Sequence, residues 1–216
     1  MTDEQAIPGP RTIPWALVAA VVLSLTTLAT AWTGYESARW GSIQSTWTRS
    51  ATQAQIAATS LQGVANRNLS SDLLIFSSWL EAEVRGDDVL AAAVEARFRP
   101  ELVPAFEAWR ALGNGDVLAP GSPFDRPEYV LAAAVESERL SAVAADASAR
   151  GTEAGDTSDN YVLTAVLYAS VLFLAGIATK IPHPRGTRLA VVLSVALLVV
   201  ALGLTLTLPV DVGWLR

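Results

Sequence analysis

The segment at residues 15–32 reads WALVAAVVLSLTTLATAW and contains no charged side chain. A helix needs about 20 mostly apolar residues to cross the hydrocarbon core of a bilayer. Trp15 and Trp32 stand at the two edges of the segment, where the aromatic residues of membrane spans collect. The apolar run is longer than that of a cleaved signal peptide, and the flank before it is poor in positive charge. We therefore predict a retained transmembrane helix at residues 15–33.

Two further windows, 161–181 and 189–210, are almost as apolar, and Lys180 is their only charged residue. In the whole chain 51% of residues are hydrophobic and 17% are charged, whereas soluble domains contain about 25% charged residues. This composition excludes a single soluble enzyme domain. With no strand-like alternation and no internal repeat, the sequence predicts an all-α integral membrane protein with spans at 15–33, 159–181 and 189–210.

Positive charge in the short loop between the second and third spans sets the predicted orientation. Lys180, Arg185 and Arg188 lie in or beside this loop, and short loops rich in Lys and Arg stay in the cytoplasm. The N-terminus of a multi-pass protein of the bacterial inner membrane would then also be cytoplasmic. The predicted segments outside the spans are a cytoplasmic N-terminus at 1–14, an extracytoplasmic domain at 34–158, a cytoplasmic loop at 182–188 and an extracytoplasmic tail at 211–216.

Tryptophan recurs beyond the first span, at Trp40 and Trp47, with Ile43 between them. This spacing begins a heptad pattern that continues through small and apolar residues to Val64. The chain contains no proline between Pro14 and Pro100. We therefore predict that the first span continues outward as a long stalk helix.

A change of pattern near residues 66–68 predicts a second, amphipathic helix. Its apolar stripe contains Leu69, Leu73, Phe76, Leu80 and Val84. Gly86 is expected to end this helix, because glycine readily adopts the left-handed conformation that follows many helices. This role explains the tripeptide Arg85–Gly86–Asp87 better than an adhesion motif does.

The residues after Gly86 predict a small helical cap. Asp87 or Asp88 should cap a short helix that ends near Phe98, because Asp accepts hydrogen bonds from the free backbone donors of a helix start. Prolines then break the chain. A further short helix is expected at 104–112.

The return to the membrane begins after a loop rich in glycine and proline. Asp125 and Glu128 resemble a capping box and predict a returning helix at 128–150. This Ala-rich helix is expected to pack antiparallel to the stalk. A hinge at 151–157 should then precede the second span, with residues 158–160 as its helix cap.

The sequence lacks residues that several classes of function need. The chain has no cysteine, which excludes thiol catalysis, disulfides and thiolate metal sites. Its one histidine, His183, lies between two prolines in the predicted inner loop. Residues 34–160 contain 18 Asp and Glu against 10 Arg and no Lys, a net charge of −8, so they offer no basic patch for nucleic acid. We expect no enzyme, and no catalytic, cofactor-binding or metal-binding residue.

The first span and its extension contain the most informative polar pattern. Four hydroxyl residues follow one another at spacings of four, three and four and so lie on one helix face. A glycine and two tryptophans extend this face. Small residues let helices approach closely and hydroxyls bond between helices, although such a face can also line a pore in an oligomer. The predicted helix-packing or oligomer contacts are Thr26, Thr30, Thr33, Ser37, Gly41, Trp40 and Trp47.

Three segments read ATAWTGYESARWG at 29–41, RFRPELVPAFEAW at 97–109 and SDNYVL at 158–163. They resemble a family of uncharacterised bacterial three-span membrane proteins, over about residues 20–205. The resemblance implies a helical extracytoplasmic domain but no activity, ligand or catalytic residue. The order of span, helical domain and span is also similar to the input domains of chemoreceptors and sensor kinases. Here a third span and a short tail stand in place of an output module.

Two functions fit these observations. We expect a non-enzymatic membrane protein, in contact with membrane lipids, that forms a homo-oligomeric scaffold or pore through the first span and the stalk. The alternative is a ligand-sensing or adaptor protein whose extracytoplasmic helical domain binds a small molecule or a protein partner. An oligomer should lose subunits when Thr30 or Trp47 is replaced, whereas a ligand should raise the melting temperature of a sensor.

Overall fold

The computed structural model describes residues 15–113 and 119–210, and only the backbone of Ala16. All regular structure in these ranges is helical, which confirms the all-α prediction for them. The α-helices are α1 (Trp15–Val84), α2 (Asp88–Glu95), α3 (Val103–Arg110), α4 (Ala132–Ala178) and α5 (Pro184–Thr207), with 3-10 helices at Ala111–Gly113 and Pro123–Asp125. The predicted N-terminal segment 1–14, the tail 211–216 and part of the predicted loop, 114–118, lie outside the described residues.

Three of these helices are long and apolar enough to cross a membrane. The most apolar stretch of each has a mean hydropathy of 1.7 in α1, 2.1 in α4 and 2.8 in α5. The coarse prediction of three span-length apolar helices is thus confirmed for the part of the chain that the structure describes.

Helix α1 runs without interruption to Val84, so the predicted new helix after residues 66–68 is wrong. No proline is present to remove a backbone donor or to clash with the preceding turn. Gln62 Nε2 donates to Asn66 Oδ1 at 3.1 Å. The amide side chain is therefore satisfied one turn away and does not compete with the helix backbone.

The buried face of the last turns of α1 differs from the predicted stripe. Trp79 and Asp72 are fully buried, whereas Leu73 and Val84 of the stripe are 44% and 67% exposed. The Trp79 ring stacks on Phe76, with centroids 5.7 Å apart. Tryptophan removes more apolar area from water than leucine or valine does, and so it decides which face turns inward.

Helix α4 begins at Ala132, and the predicted start at Glu128 is wrong. Before it, Ser122 caps a short 3-10 helix by accepting a hydrogen bond from Phe124 N at 3.2 Å. Asp125 belongs to that 3-10 helix, so the predicted capping box is not the start of α4.

Helix α4 then continues to Ala178, so the predicted hinge at 151–157 and the predicted cap at 158–160 are also wrong. Gly155 lies inside the helix and faces α1. A Cβ added there would come within 2.9 Å of Gln44 Cδ. Glycine at this position permits the close approach of two helices and does not bend one.

Gly86 ends α1 as predicted, with a φ of 71°. Gly86 N donates to the Glu83 carbonyl oxygen and Asp87 N to the Ala82 carbonyl oxygen, both at 3.0 Å. This pair of hydrogen bonds is the Schellman motif. Asp87 then caps α2 by accepting a hydrogen bond from Leu90 N at 3.0 Å. The predictions for Gly86, and for Asp87 as a cap, are confirmed.

The chain divides into two compact units. The three-helix unit comprises Met1–Trp47 and Ala149–Arg216, as far as they are described, and contains α5 and parts of α1 and α4. Tyr168 Oη lies 2.9 Å from Thr205 Oγ1 and so joins α4 to α5. The main core cluster of this unit consists of Val22, Tyr168, Val171, Ala175, Leu198 and Ala201.

The central unit, Thr48–Ser148, has an aromatic core. Trp79 and Phe106 meet edge to face with ring centroids 4.8 Å apart, and Phe98 and Phe106 do so at 4.9 Å. Arg110 covers this cluster, with its guanidinium 5.7 Å from the centroid of the Trp79 ring. Each aromatic pair of this kind adds about 0.5–1.5 kcal/mol beyond its buried area. These contacts fasten α3 and the segment that follows α2 to the last turns of α1.

Replacing Gly86 with alanine should lower the free energy of unfolding by about 1 kcal/mol, because a side chain is strained at this positive φ. Gly63→Ala is the matched control. The Cβ that it adds would lie 3.5 Å from Arg67 Nη1, and alanine is the better helix former. Chemical unfolding of the full chain in detergent, followed by circular dichroism, measures both changes. Equal effects of the two substitutions would contradict this account.

Candidate functional site

The threonine hydroxyls of the predicted contact face donate within α1 itself. Thr26 and Thr33 are fully buried, and Thr30 is half-buried. Thr26 donates to the Val22 carbonyl oxygen at 2.6 Å, Thr30 to that of Thr26 at 2.8 Å, and Thr33 to that of Thr30 at 3.0 Å. A hydroxyl has one proton to donate. These three donors are therefore used inside the helix.

Ser37 and Gly41 contact α4 of the same chain. The Ser158 hydroxyl donates to the Ser37 carbonyl oxygen at 2.9 Å, and the two serine Oγ atoms are 3.3 Å apart. A Cβ added to Gly41 would lie 3.7 Å from Ser158 Oγ. The small residues of this face thus allow α1 and α4 to approach closely within one chain.

The two tryptophans of the face are half-buried and also have partners within the chain. Trp40 Nε1 donates to the Pro209 carbonyl oxygen, just beyond α5, at 3.2 Å. The Arg150 guanidinium lies over the Trp47 ring, 5.0 Å from its centroid, a favourable cation–π arrangement. A cleft of about 360 Å³ adjoins both rings and is also lined by Glu153.

Glu36 is a buried charged residue that sequence reasoning missed. Its side chain is fully buried in the three-helix unit and interacts electrostatically with Tyr161 of α4. The heptad pattern that starts at Trp40 and Ile43 could have indicated that Glu36 is buried. One heptad earlier, the same two positions are Thr33 and Glu36. Burial of a carboxylate costs several kcal/mol unless its partners offset the loss of hydration.

A second buried carboxylate, Asp72, lies in the central unit. The Tyr129 hydroxyl donates to Asp72 Oδ2 at 2.8 Å, and Arg99 Nη1 lies 3.4 Å from the same oxygen. Arg99 Nη2 also pairs with the Glu101 carboxylate at 2.5 Å. These four residues, the Asp72 cluster, join α1 to the segments that precede α3 and α4. Asp72 stands seven residues before Trp79 and so lies on the same face of the helix. This spacing could have indicated that Asp72 is buried, but the predicted buried face followed the leucine stripe instead.

The Asp72 cluster is suited to holding chain segments in place. Asp72 Oδ1 is buried and accepts no hydrogen bond from the described residues. Its neighbours are a guanidinium and a phenol of the same chain, whereas acid–base chemistry needs a group within reach of a substrate. In the ranges 15–113 and 119–210, no group of three or more His, Asp and Glu residues could hold a metal ion.

Burial raises the pKa of the Tyr129 hydroxyl above its ordinary value of 10.0. The hydrogen bond to Asp72 and the negative charge of Asp72 raise this pKa further, and the positive charge of Arg99 lowers it. The folded state therefore holds the phenol proton more tightly than the unfolded state does. The resulting stabilisation is complete below pH 10.0 and is lost as the pH rises from there toward the raised pKa.

A groove with an uncharged lining runs between α1 and α4 in the central unit. It consists of two clefts of about 440 and 410 Å³ that share Gln55 and Ser141. Its walls are Ala, Ser, Thr, Gln, Asn and Gly residues with one Ile, from Ala51 to Asn66 of α1 and from Ser137 to Ser148 of α4. We call it the neutral groove.

No protein-family model, curated protein or solved structure matches the chain. The resemblance to the bacterial three-span family therefore stays a prediction. The structure places its segment 29–41 in α1 and its segment 158–163 in α4, while the segment 97–109 includes most of α3.

Tyr129→Phe should lower the free energy of unfolding by about 1–3 kcal/mol, because the buried Asp72 carboxylate loses a hydrogen-bond donor. The variant should also lose part of the decrease in stability that the wild type shows as the pH rises above 10.0. Chemical unfolding of the full chain at about pH 8, and at steps from about pH 10 to about pH 12, measures both effects.

Tyr35→Phe is the control for this substitution, since Tyr35 is 49% exposed. It should leave the free energy of unfolding at about pH 8 unchanged. A Tyr129→Phe variant as stable as the wild type at about pH 8 would show that the Asp72 cluster does not fasten the central unit.

Proposed function

We propose that this chain is a non-enzymatic integral membrane protein of the bacterial inner membrane that forms a homo-oligomeric scaffold. Its three apolar helices cross the bilayer, with the N-terminus in the cytoplasm and the central unit outside the membrane. Copies join through the neutral groove and not through the hydroxyl face of the first span, which consists of Thr26, Thr30, Thr33 and Ser37. Its partners are membrane lipids and further copies of the chain.

The surface of the three-helix unit supports membrane insertion. Leu17 and Leu28 of α1 are 61% and 69% exposed, and Leu206 of α5 is 84% exposed. Exposure of several large apolar side chains is unfavourable in water and favourable among lipid tails. Trp15 and Trp32 are separated by a helix rise of about 25 Å, close to the hydrocarbon thickness of about 30 Å.

Positive charge near Trp15 supports the proposed orientation. The Arg188 guanidinium lies 6.0 Å from the centroid of the Trp15 ring. The start of α1 and the start of α5 are thus neighbours within the three-helix unit. Lys180 lies in the short connection between α4 and α5, and Arg185 lies in the first turn of α5. Short connections rich in positive charge stay in the cytoplasm.

The neutral groove is the observation on which the scaffold proposal rests. Residues 34–160 carry 18 acidic residues and 10 Arg, yet the residues that line the two clefts of this groove are uncharged. Charged side chains stand at its margin: Glu138 lines an adjoining cleft, and Arg67 lies beside Gly63. Amides and hydroxyls both donate and accept hydrogen bonds. Such a surface can face a second copy of itself across a two-fold axis without like-charge repulsion. Ile56, which is 65% exposed, offers an apolar contact at the same surface.

The thin core beside the groove also supports association. The buried residues of this part of α1 and α4 are small: Ala58, Ala65, Ser137, Ala144 and Ala147. Burial stabilises by roughly 25 cal/mol per Å² of apolar area, so an alanine core contributes little. A second pair of helices over the groove would complete a four-helix layer. Membrane anchoring favours this association by raising the effective concentration of the copies.

Burial of two threonines of the first span supports a scaffold in preference to a pore. Thr26 and Thr33 are fully buried within the single chain, so their hydroxyls do not face a space between copies. An adaptor that binds a protein partner is the second candidate function. Exposed acidic and apolar residues around Gly86 favour it.

Gln55→Arg should dissociate the oligomer, because it places a positive charge in each of two facing grooves. Gln53→Arg is the matched control: Gln53 is exposed and stands two residues away, so it points to a different side of α1. Native mass spectrometry of the full chain in detergent measures the number of subunits. We expect an oligomer for the wild type and for Gln53→Arg, and a monomer for Gln55→Arg.

Cysteine cross-linking in membranes gives a second readout, because the natural chain contains no cysteine. Gln55→Cys should form a covalent dimer on oxidation, and Gln53→Cys should not. A monomeric wild type, or two Gln→Arg variants with the same subunit number, would overturn the scaffold proposal.

A further inference from the structure

We propose that the end of α1 and the start of α2 form a docking surface for a basic, amphipathic helix of another protein. We call residues 81–90, which include the Gly86 turn, the tip. This proposal does not depend on association through the neutral groove, which is lined by other residues of the central unit.

Three apolar side chains of the tip are exposed. Val84 is 67% exposed, Val89 82% and Leu90 45%. Single exposed apolar residues are ordinary on a protein surface, but these three all stand within four residues of the Gly86 turn. The packing of Trp79 accounts for the exposure of Val84, because it turns the predicted apolar stripe partly outward.

The tip is held in one conformation by its own hydrogen bonds. The Schellman motif fixes the turn through Gly86 N and Asp87 N, and the Asp87 carboxylate fixes the first turn of α2 through Leu90 N. A partner therefore does not have to order this surface when it binds. Such preorganisation lowers the entropic cost of association.

The charge of the tip determines the chemistry of the partner. Four carboxylates, those of Glu81, Glu83, Asp87 and Asp88, stand against one positive charge. That charge, Arg85, already pairs with Glu81 at 2.5 Å. The remaining carboxylates attract Lys and Arg and repel an anionic lipid surface. Basic residues that flank an apolar face therefore complement this patch.

A helix fits the tip better than a small molecule does. Small ligands bind in concave sites that cover most of their surface, whereas Val89 projects into solvent with 82% of its surface exposed. An amphipathic helix can lay its apolar face over Val84, Val89 and Leu90 and direct its basic side chains toward the carboxylates.

Binding of a synthetic helical peptide of leucine and lysine tests the proposal. The full chain is placed in nanodiscs of phosphatidylcholine, and fluorescence anisotropy measures the Kd of the labelled peptide, with empty nanodiscs as the reference. The wild type should bind this peptide, and added salt should weaken the binding because exposed charges are screened. A peptide of the same pattern with glutamate in place of lysine should not bind.

Two double variants locate the binding at the tip. Val84→Ser combined with Val89→Ser should raise the Kd at least tenfold. Asp87→Asn combined with Asp88→Asn should also raise the Kd and should reduce its dependence on salt. The second pair keeps the start of α2 intact, because asparagine caps helices as well as aspartate does. Circular dichroism melting shows that each variant is folded.

Val135→Ser combined with Val143→Ser is the matched control, since these valines of α4 are 56% and 42% exposed elsewhere in the central unit. This variant should bind the leucine–lysine peptide as tightly as the wild type does. The proposal is overturned by tip variants that retain the wild-type Kd, by an equal loss in the control, or by equal binding of the glutamate peptide.

Discussion

In each unit of the molecule, a serine hydroxyl of α4 donates to a backbone carbonyl of α1. Ser158 donates to Ser37 and Ser137 donates to Ala58, both at 2.9 Å. So short a side chain reaches the backbone of another helix only where the two helices pack closely, and this packing requires small residues around the contact. The two contacts are separated by 21 residues on both helices, which is three heptads. The hydroxyl face of the first span and the neutral groove both depend on this close approach.

The tryptophan heptad and the absence of proline predict that the first apolar helix continues beyond residue 33, but they do not predict that it runs to Val84. The sequence also predicts the Gly86 turn, since a positive φ leaves few alternatives to glycine. It fails at 151–157, because glycines that bend a chain and glycines that let a second helix approach look alike until the neighbouring helix is known. The leucine stripe of the last turns of α1 fails for a similar reason. Burial of Trp79 outweighs it, and only the packed structure shows which apolar set is covered.

The buried carboxylates Glu36 and Asp72 could have been found only by treating a charged residue as part of a core face. Both are fully buried, and each must regain from polar partners what it loses in hydration. Small residues such as those of α1 and α4 pack almost equally well when one helix slides past the other by a heptad. A buried carboxylate with its own partners fits one register only. The arrangement thus combines permissive packing with one group, Glu36, that selects the alignment of α1 against Tyr161 of α4.

The two parts of the three-helix unit are synthesised at different times. They flank the continuous segment Thr48–Ser148. Ser158, the partner of Ser37, is added to the chain 121 residues later. A ribosome adds about 5–20 residues per second, so the delay is on the order of ten seconds. During that time the whole central segment is translated, but the helix on which Glu36 and the hydroxyl face pack does not yet exist. Glu36 and the hydroxyl face therefore stay uncovered by α4 for the whole of that interval.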